Sequence, residues 1–180
     1  SGINPLKSVD SVVVQGSANK LHVSWSGVTS PTDGATVTYT ASAGSNTLSC
    51  TTTDTSCDIT GLTNGQTYSV TVTATDGTYS SAPSSAVSGM PGVAPGAPTN
   101  VAVVTGGGQA QVSWVAPTTG SPLTNLRYTV TSSPGNFTCT STTLSCLITG
   151  LTNGRSYTFS VVATTVVGSS SPTVSDAVVP

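Results

Sequence analysis

The sequence predicts an all-β protein made of two tandem seven-stranded antiparallel β-sandwiches, and three observations lead to this prediction. Charged residues make up only 6% of the chain and glutamate is absent, so the usual material of exposed helix faces is missing. Short stretches of alternating apolar and polar residues recur between turn residues, which is typical of half-buried strands. The whole pattern also occurs twice, at a spacing of 89 residues.

The repeat is visible in matched residues along the whole chain. Residues 9–91 align with residues 98–180 without an insertion, and roughly a third of the aligned positions are identical. A repeat of this length is enough for an autonomous domain, and three prolines between the copies indicate a short, semi-extended connector. We therefore predict a first domain, a Pro-rich linker and a second domain at residues 1–90, 91–98 and 99–180.

Seven strands can be read in the first copy from the alternation and the turn residues. Trp25 lies on the same side of its strand as Leu21 and Val23, which predicts that its ring points inward. The strands are expected near residues 9–15, 20–26, 36–43, 46–51, 56–60, 66–75 and 79–88. The aromatic residues expected in the structural core of the two copies are Trp25, Tyr39, Tyr68, Trp114, Tyr128 and Tyr157.

The four cysteines predict one disulfide in each copy. Because the copies match, Cys50 should pair with Cys57 and Cys139 with Cys146. Zinc binding is the competing interpretation, but two thiolates per copy and one histidine in the whole chain do not complete a tetrahedral site. The sequence therefore predicts disulfides, no metal, and an oxidising, extracellular location at the cell surface or in a secreted protein.

One segment of each copy carries a resemblance to a known family. Ile-Thr-Gly-Leu-Thr-Asn-Gly-Gln-Thr-Tyr at 59–68 recurs as Ile-Thr-Gly-Leu-Thr-Asn-Gly-Arg-Ser-Tyr at 148–157. Together with Trp25 and Tyr39 and their counterparts, this segment resembles the fibronectin type III family, with Asn in place of the frequent Pro before Gly. The resemblance implies an immunoglobulin-like sandwich in which the last Tyr of the segment bonds to backbone through its hydroxyl.

The cysteine pairs depart from the vertebrate members of that family, which usually lack them. With the Thr-rich, charge-poor surface, they make the chain similar to disulfide-containing modules of bacterial secreted and cell-surface proteins. The resemblance implies several roles for such sandwiches, because this fold hosts many functions.

No catalytic residue is predicted. His22, the only histidine, lies on the outward set of its strand, and nothing in the sequence nominates a nucleophile or an orienting acid for it, so we interpret it as a solvent-exposed side chain. If the family topology holds, Asp33 and Asp76 lie in loops at the same end of the sandwich. A weak calcium or recognition site is conceivable there, although ordinary turn chemistry is the favoured interpretation.

The remaining candidates have structural interpretations. Asp54 and Asp58 flank the first disulfide loop and are interpreted as solvated loop charges. Tyr79 is the one aromatic residue expected in or beside an exposed loop. Asn136-Phe137-Thr138 fits the acceptor pattern for N-glycosylation, and Gly106-Gly107-Gly108 is predicted to be a hairpin turn.

Charge and hydropathy restrict the partners. The net charge is −2, and the four cationic residues are scattered, so no basic surface for nucleic acid is expected. Apolar runs are too short for membrane insertion. We expect a monomer without cofactors whose partners are the neighbouring domains of its own polypeptide and, in one alternative, a surface protein or a glycan.

These observations favour a non-catalytic extracellular spacer or scaffold module of a larger secreted or cell-surface protein. The alternative is an adhesion or recognition module that binds a protein or glycan through loops at one end or through a sheet face. A more distant alternative is a pair of accessory domains of a secreted hydrolase.

Overall fold

A computed structural model describes residues 6–44 and 47–180. The chain divides into two compact units, residues 1–92 and residues 93–180. Within the described residues there is no helix, and every paired strand is antiparallel. The all-β prediction and the two-sandwich architecture are confirmed.

The first unit contains seven strands in two sheets. The strands are β1 (Val13–Ser17), β2 (Lys20–Ser24), β3 (Thr38–Ala43), β4 (Leu48–Thr52), β5 (Ser56–Thr60), β6 (Tyr68–Thr75) and β7 (Val87–Gly89). One sheet has the order β1-β2-β5 and the other β4-β3-β6-β7. The predicted fourth strand began at residue 46, which lies outside the described residues.

The second unit repeats this arrangement, with the last strand in two short pieces. The strands are β8 (Thr99–Gly106), β9 (Gln109–Val115), β10 (Arg127–Ser133), β11 (Thr138–Ser141), β12 (Ser145–Thr149), β13 (Thr158–Thr165), β14 (Gly168–Ser169) and β15 (Thr173–Val174). The three-stranded sheet has the order β12-β9-β8, and the other sheet has the order β11-β10-β13-β14, with β15 also paired to β13.

Each unit has its own apolar core between its two sheets, because alternate side chains of each strand point inward. Trp25 is 6% exposed and Trp114 is 4% exposed. Each indole packs at a tilt against a buried tyrosine, with ring centroids 5.5 Å apart for Trp25 and Tyr39 and 5.1 Å apart in the second unit. Tyr128 and Tyr157 are buried as well, whereas Tyr68 is only half-buried at the edge of the first core.

Two strand boundaries of the first unit differ from the sequence-based expectation. The first strand begins at Val13 rather than near residue 9, and the last covers only Val87–Gly89 rather than 79–88. Pro83 interrupts the expected last strand because it has no N–H for a ladder. On either side of Pro83, the hydroxyls of Ser81 and Ser84 accept hydrogen bonds from backbone N–H groups of β6 at 2.9 Å. They take the place of the backbone carbonyls that a paired strand would offer to these N–H groups.

The glycine run of the second unit forms the predicted hairpin. Gly106 pairs with Gln109 at the end of the β8–β9 ladder, so Gly107 and Gly108 form a two-residue turn. Gly108 has a φ of 68°, a left-handed conformation that glycine adopts without steric cost.

Candidate functional site

The predicted disulfides are present, and each joins the two sheets of its own unit. Cys50 lies on the edge strand β4 and Cys57 on β5 of the opposite sheet, with their Cα atoms 6.1 Å apart. Cys139 on β11 and Cys146 on β12 repeat this arrangement at 6.2 Å. The disulfides therefore fasten the same pair of sheet edges in both units, and they leave no free cysteine among the described residues.

The tyrosine at the end of each Leu-Thr-Asn-Gly segment bonds to backbone. The Tyr68 hydroxyl accepts a hydrogen bond from the N–H of Thr63, and the Tyr157 hydroxyl accepts one from the N–H of Thr152, both at 3.0 Å. The bond from Thr152, with a smaller contribution from the nearby Arg155 guanidinium, lowers the pKa of Tyr157. Each tyrosine thus fixes the turn that precedes β6 in the first unit or β13 in the second.

The structure corrects the interpretation of Asp58 as a loop charge and gives the exposed His22 a partner. Asp58 lies on strand β5 directly opposite His22 on β2, not in a loop. Its carboxylate contacts His22 Nδ1 at 2.7 Å and Lys20 Nζ at 2.8 Å. The hydrogen bond from Lys20, and then the one from His22, lower the pKa of Asp58.

This trio has an acid and a histidine but no nucleophile. In the described part of the chain, no hydroxyl hydrogen bonds to His22, and all three side chains are substantially exposed. Exposed ion pairs of this kind contribute at most about 1 kcal/mol. The arrangement stabilises the outer face of the three-stranded sheet.

The two loop aspartates have different environments. Asp76 accepts hydrogen bonds from the Ser30 hydroxyl at 2.6 Å and from the Thr32 hydroxyl at 3.2 Å, and also from two backbone N–H groups of its own turn. The bond from Ser30 is the largest cause that lowers the pKa of Asp76 to about 2. Asp33 is exposed, and the described residues form no hydrogen bond with its carboxylate. The loops do meet, but through Ser30 and Thr32 rather than through Asp33.

The structure also places the remaining candidates. Tyr79 is 40% exposed in the turn after β6, and Asn136 is exposed in the turn between β10 and β11. Asp54 is exposed in the disulfide loop, where its N–H bonds to the Thr52 hydroxyl. The described residues contain no group of three side chains suited to a metal ion, and no helix of sufficient length and apolarity to cross a bilayer.

Sequence reasoning missed the role of the asparagine that replaces proline before glycine. Asn64 Oδ1 accepts a hydrogen bond from the N–H of Asn19 at 2.7 Å, in the hairpin between β1 and β2. Asn153 Oδ1 accepts the equivalent bond from Gly108 at the same distance. The recurrence of Asn at this position in both copies was the only available signal. Proline could not supply this acceptor.

Comparison with known proteins agrees with this architecture. The family model described as "Fibronectin type III domain" matches residues 7–90 and residues 96–176. No curated protein matches the chain significantly.

The chain is similar to solved structures of low sequence identity, of which the first shares its fold. A two-domain fibronectin type III segment from chicken tenascin is 18% identical with a TM-score of 0.52, over 96% of this chain and 99% of that one. The FN1–FN3 domains of chicken CNTN1 are 16% identical with a TM-score of 0.48, over 99% of this chain and 68% of that one.

Proposed function

Because the chain belongs to the fibronectin type III family, we propose that it is a non-catalytic extracellular spacer within a larger secreted or cell-surface protein. The observation that carries this proposal is that each unit is structurally self-contained. Each has its own aromatic core and its own disulfide between sheets. A unit of this kind can be added to a chain without depending on other domains for its stability.

The residues proposed as the linker, 91–98, support this role. Gly92 donates a backbone hydrogen bond to Ser17 within the first unit at 2.9 Å. Within the second unit, Val93 forms a bridge with Ser121, and Gly96 donates to Thr119 at 2.9 Å. These backbone groups are hydrogen bonded within their own units, and prolines restrict the backbone dihedral angles of the other residues in 91–98. Few residues of this segment therefore have conformational freedom.

Small-angle X-ray scattering of the whole chain tests the spacer. The proposal requires a largest dimension near twice that of a single unit measured in the same way. A largest dimension close to that of one unit would overturn it. The same samples test our proposal that the chain is a monomer, through the forward scattering.

The extracellular location is proposed from the two disulfides, since such bonds persist in oxidising compartments. Thiol titration of protein purified from its native source under alkylating conditions tests this location. We expect no reactive thiol after denaturation. Four reactive thiols per chain would contradict an oxidising location.

A second candidate function is recognition of a partner, and a difference between the units favours it. On the outer face of the three-stranded sheet, the first unit presents Gln15, His22 and Asp58 in one row. The matched row of the second unit contains Val104, which is 72% exposed, and Leu147, which is 46% exposed. A pure spacer does not require surfaces that differ so strongly between copies. Binding of a candidate surface protein or glycan can be measured with each unit expressed separately. Binding by the second unit alone would support this recognition function.

A further inference from the structure

Each Leu-Thr-Asn-Gly segment contains an Asn-Gly pair, and the chain has no other such pair. The pairs are Asn64-Gly65 in the first unit and Asn153-Gly154 in the second. Glycine has no side chain to shield its backbone nitrogen, so this nitrogen can attack the side-chain amide of the preceding asparagine. Because both groups belong to one chain, the attack is intramolecular and needs only a suitable geometry. Each unit therefore carries a candidate site of spontaneous deamidation.

The reaction needs only water and hydroxide as partners. Hydroxide removes the N–H proton of the glycine, and the nitrogen forms a bond to Cγ of the asparagine. The bond from Cγ to Nδ2 breaks, and ammonia leaves with a proton taken from water. Water then opens the cyclic imide at either of its two carbonyl carbons. One opening gives aspartate, and the other gives isoaspartate, in which the main chain runs through Cβ and Cγ and is one carbon longer.

In the folded units, the attacking nitrogen already donates a hydrogen bond. The N–H of Gly65 donates to the backbone oxygen of Pro91 at 2.8 Å. The N–H of Gly154 donates to a backbone oxygen of Pro180 at 3.0 Å. Each glycine nitrogen must leave this partner before it can lose its proton and attack.

The asparagine side chains are held as well. Asn64 Oδ1 accepts from the N–H of Asn19, and Asn153 Oδ1 accepts from the N–H of Gly108, both at 2.7 Å. The acceptors and donors of these bonds lie in different parts of each unit, since the donors belong to the hairpin of the three-stranded sheet. A side chain bonded to a separate hairpin has less freedom to rotate into a geometry of attack.

The backbone of the corner is fixed by further bonds. The carbonyl of Thr63 accepts from the N–H of Gln66 at 3.3 Å, and the N–H of Thr63 donates to the Tyr68 hydroxyl at 3.0 Å. With a φ of 80° at Gly65, these residues form a type II turn, which requires a positive φ at this position. The second unit has the same bonds at Thr152, Arg155 and Tyr157.

Burial does not protect the two pairs, because water reaches both corners. Asn64 and Gly65 are half-buried, and Asn153 and Gly154 are exposed. Water and hydroxide are therefore present where the reaction takes place. The difference between a folded corner and a reactive one is the hydrogen bonding of the glycine nitrogen and of the asparagine side chain.

We propose that Asn64 and Asn153 are deamidation sites that the folded corners keep unreactive, so that a unit is modified when its corner opens. Opening breaks the glycine and the asparagine bond together, and two bonds of ordinary strength lower the open population by about tenfold or more. Isoaspartate has an extra main-chain carbon, which displaces the acceptor oxygen from the hairpin and prevents the corner from forming again. The modification thus removes units that stay open from the folded population. This inference is independent of the spacer function.

Peptide mass spectrometry of the whole chain tests the proposal. The protein is kept in mildly alkaline buffer, folded or unfolded by urea, and deamidation is quantified at each asparagine. We expect both Asn-Gly pairs to react in urea and to react at least about tenfold more slowly in the folded protein. Asn19 and Asn136, which precede Lys20 and Phe137, are internal controls and should react slowly in urea as well. Equal or faster reaction of the Asn-Gly pairs in the folded protein would overturn the proposal.

Removing one hydrogen bond from a single corner tests the local origin of the protection. Tyr68→Phe removes the acceptor of the Thr63 N–H and should raise the rate at Asn64 in the folded protein by about fivefold. Asn153 serves as the control in the same molecule, and its rate should not change. Tyr157→Phe should have the opposite selectivity. Equal changes at the two asparagines in either variant would contradict protection by each unit's own corner.

A destabilised variant with an intact corner distinguishes local opening from unfolding of the whole unit. Ser84→Ala removes a buried hydroxyl that accepts a hydrogen bond from Val72, in the middle of β6. We expect the rate at Asn64 to stay within about twofold of the wild type. Acceleration as large as that of Tyr68→Phe would show that unfolding of the whole unit controls the reaction, and it would refute the role of the corner.

Refolding tests the consequence of the modification. Protein deamidated in urea is diluted into native buffer and exposed briefly to a protease. We expect isoaspartate formed at Asn64 to be depleted from the surviving folded fraction, because its carboxylate no longer reaches the N–H of Asn19. Aspartate formed at the same position keeps an acceptor oxygen there and should survive better. Equal survival of the two products would contradict the proposed loss of the corner.

Discussion

Asn64 and Asn19 are 45 positions apart in the sequence, yet the side-chain oxygen of Asn64 lies 2.7 Å from the backbone nitrogen of Asn19. A second bond runs in the opposite direction, from the Asn19 side chain to the carbonyl of Leu62 at 3.0 Å. These bonds connect the hairpin between β1 and β2 to the turn before β6. They join the two sheets of the first unit at the end opposite the Asp76 turn.

Replacing Asn64 with Ala should lower the free energy of unfolding of the first unit by about 1 kcal/mol, because the N–H of Asn19 loses its acceptor. Asn64→Asp retains an acceptor oxygen at this position and should cost less. Chemical denaturation followed by Trp25 fluorescence in a Trp114→Phe background measures both. Gln66→Ala, at an exposed neighbouring position, is the control and should have little effect. A loss in the Gln66 variant as large as that in Asn64→Ala would contradict the assigned role.

Removing the first disulfide should weaken the first unit without unfolding it. Closing the eight-residue loop from Cys50 to Cys57 is expected to stabilise the folded state by about 2.5 kcal/mol through the entropy of the unfolded chain. The Cys50→Ser, Cys57→Ser double variant should therefore show a lower urea midpoint but a folded spectrum at 25 °C, since the Trp25 core remains. The equivalent substitutions at Cys139 and Cys146 should leave the Trp25 transition unchanged. An unfolded first unit in the absence of urea would refute this prediction.

The stability of the first unit should depend on Asp76 in acid. Its folded pKa of about 2 lies below the ordinary value of 3.8, so the stabilisation is fully present above about pH 4. It is lost as the pH falls toward 2, where the carboxylate becomes protonated in the folded state as well. We expect Asp76→Asn to be less stable than the wild type at pH 6, with a difference that shrinks between pH 4 and pH 2.

Asp33→Asn is the matched control, because it removes an exposed loop carboxylate that has no hydrogen bond in the described structure. Thermal unfolding at several pH values follows both variants. If the difference between Asp76→Asn and the wild type stayed constant down to pH 2, the hydrogen-bonded carboxylate would not be the cause.

Two glycines, one in the first strand of each unit, should respond differently to alanine. A Cβ at Gly16 would overlap the backbone oxygen of Met90, so the backbone must move. A Cβ at Gly106 would meet only the flexible side chain of Gln109, at 3.2 Å. We expect Gly16→Ala to cost about 1–3 kcal/mol and Gly106→Ala to cost less than about 1 kcal/mol. Denaturation of each variant measures the effect, and equal costs would contradict the close approach at Met90.

The sequence was sufficient to predict the sandwich because alternation, the repeat and the cysteine pairs are local or periodic signals. Trp25 could be placed inside from the period of its own strand alone. The last strand of the first unit is shorter than predicted because Pro83 has no N–H to donate to the neighbouring strand. The proline is evident in the sequence, but the alternation around it indicated a continuous strand.

The pairing of His22 with Asp58 could not be predicted in the same way. It depends on the register between two strands that are far apart in the chain and are not joined by a hairpin turn that would fix this register.

The position of the disulfides also bears on how two similar neighbours fold correctly. Adjacent domains of related sequence can exchange equivalent strands during folding, which produces interlocked or misassembled forms. Once Cys50 has bonded to Cys57 only seven positions away, β4 is tied covalently to the strand that follows it and cannot be traded for β11 by itself. The short spacing of the two cysteines thus favours correct folding of each copy during biosynthesis, in addition to the stability that the disulfide gives to the folded domain.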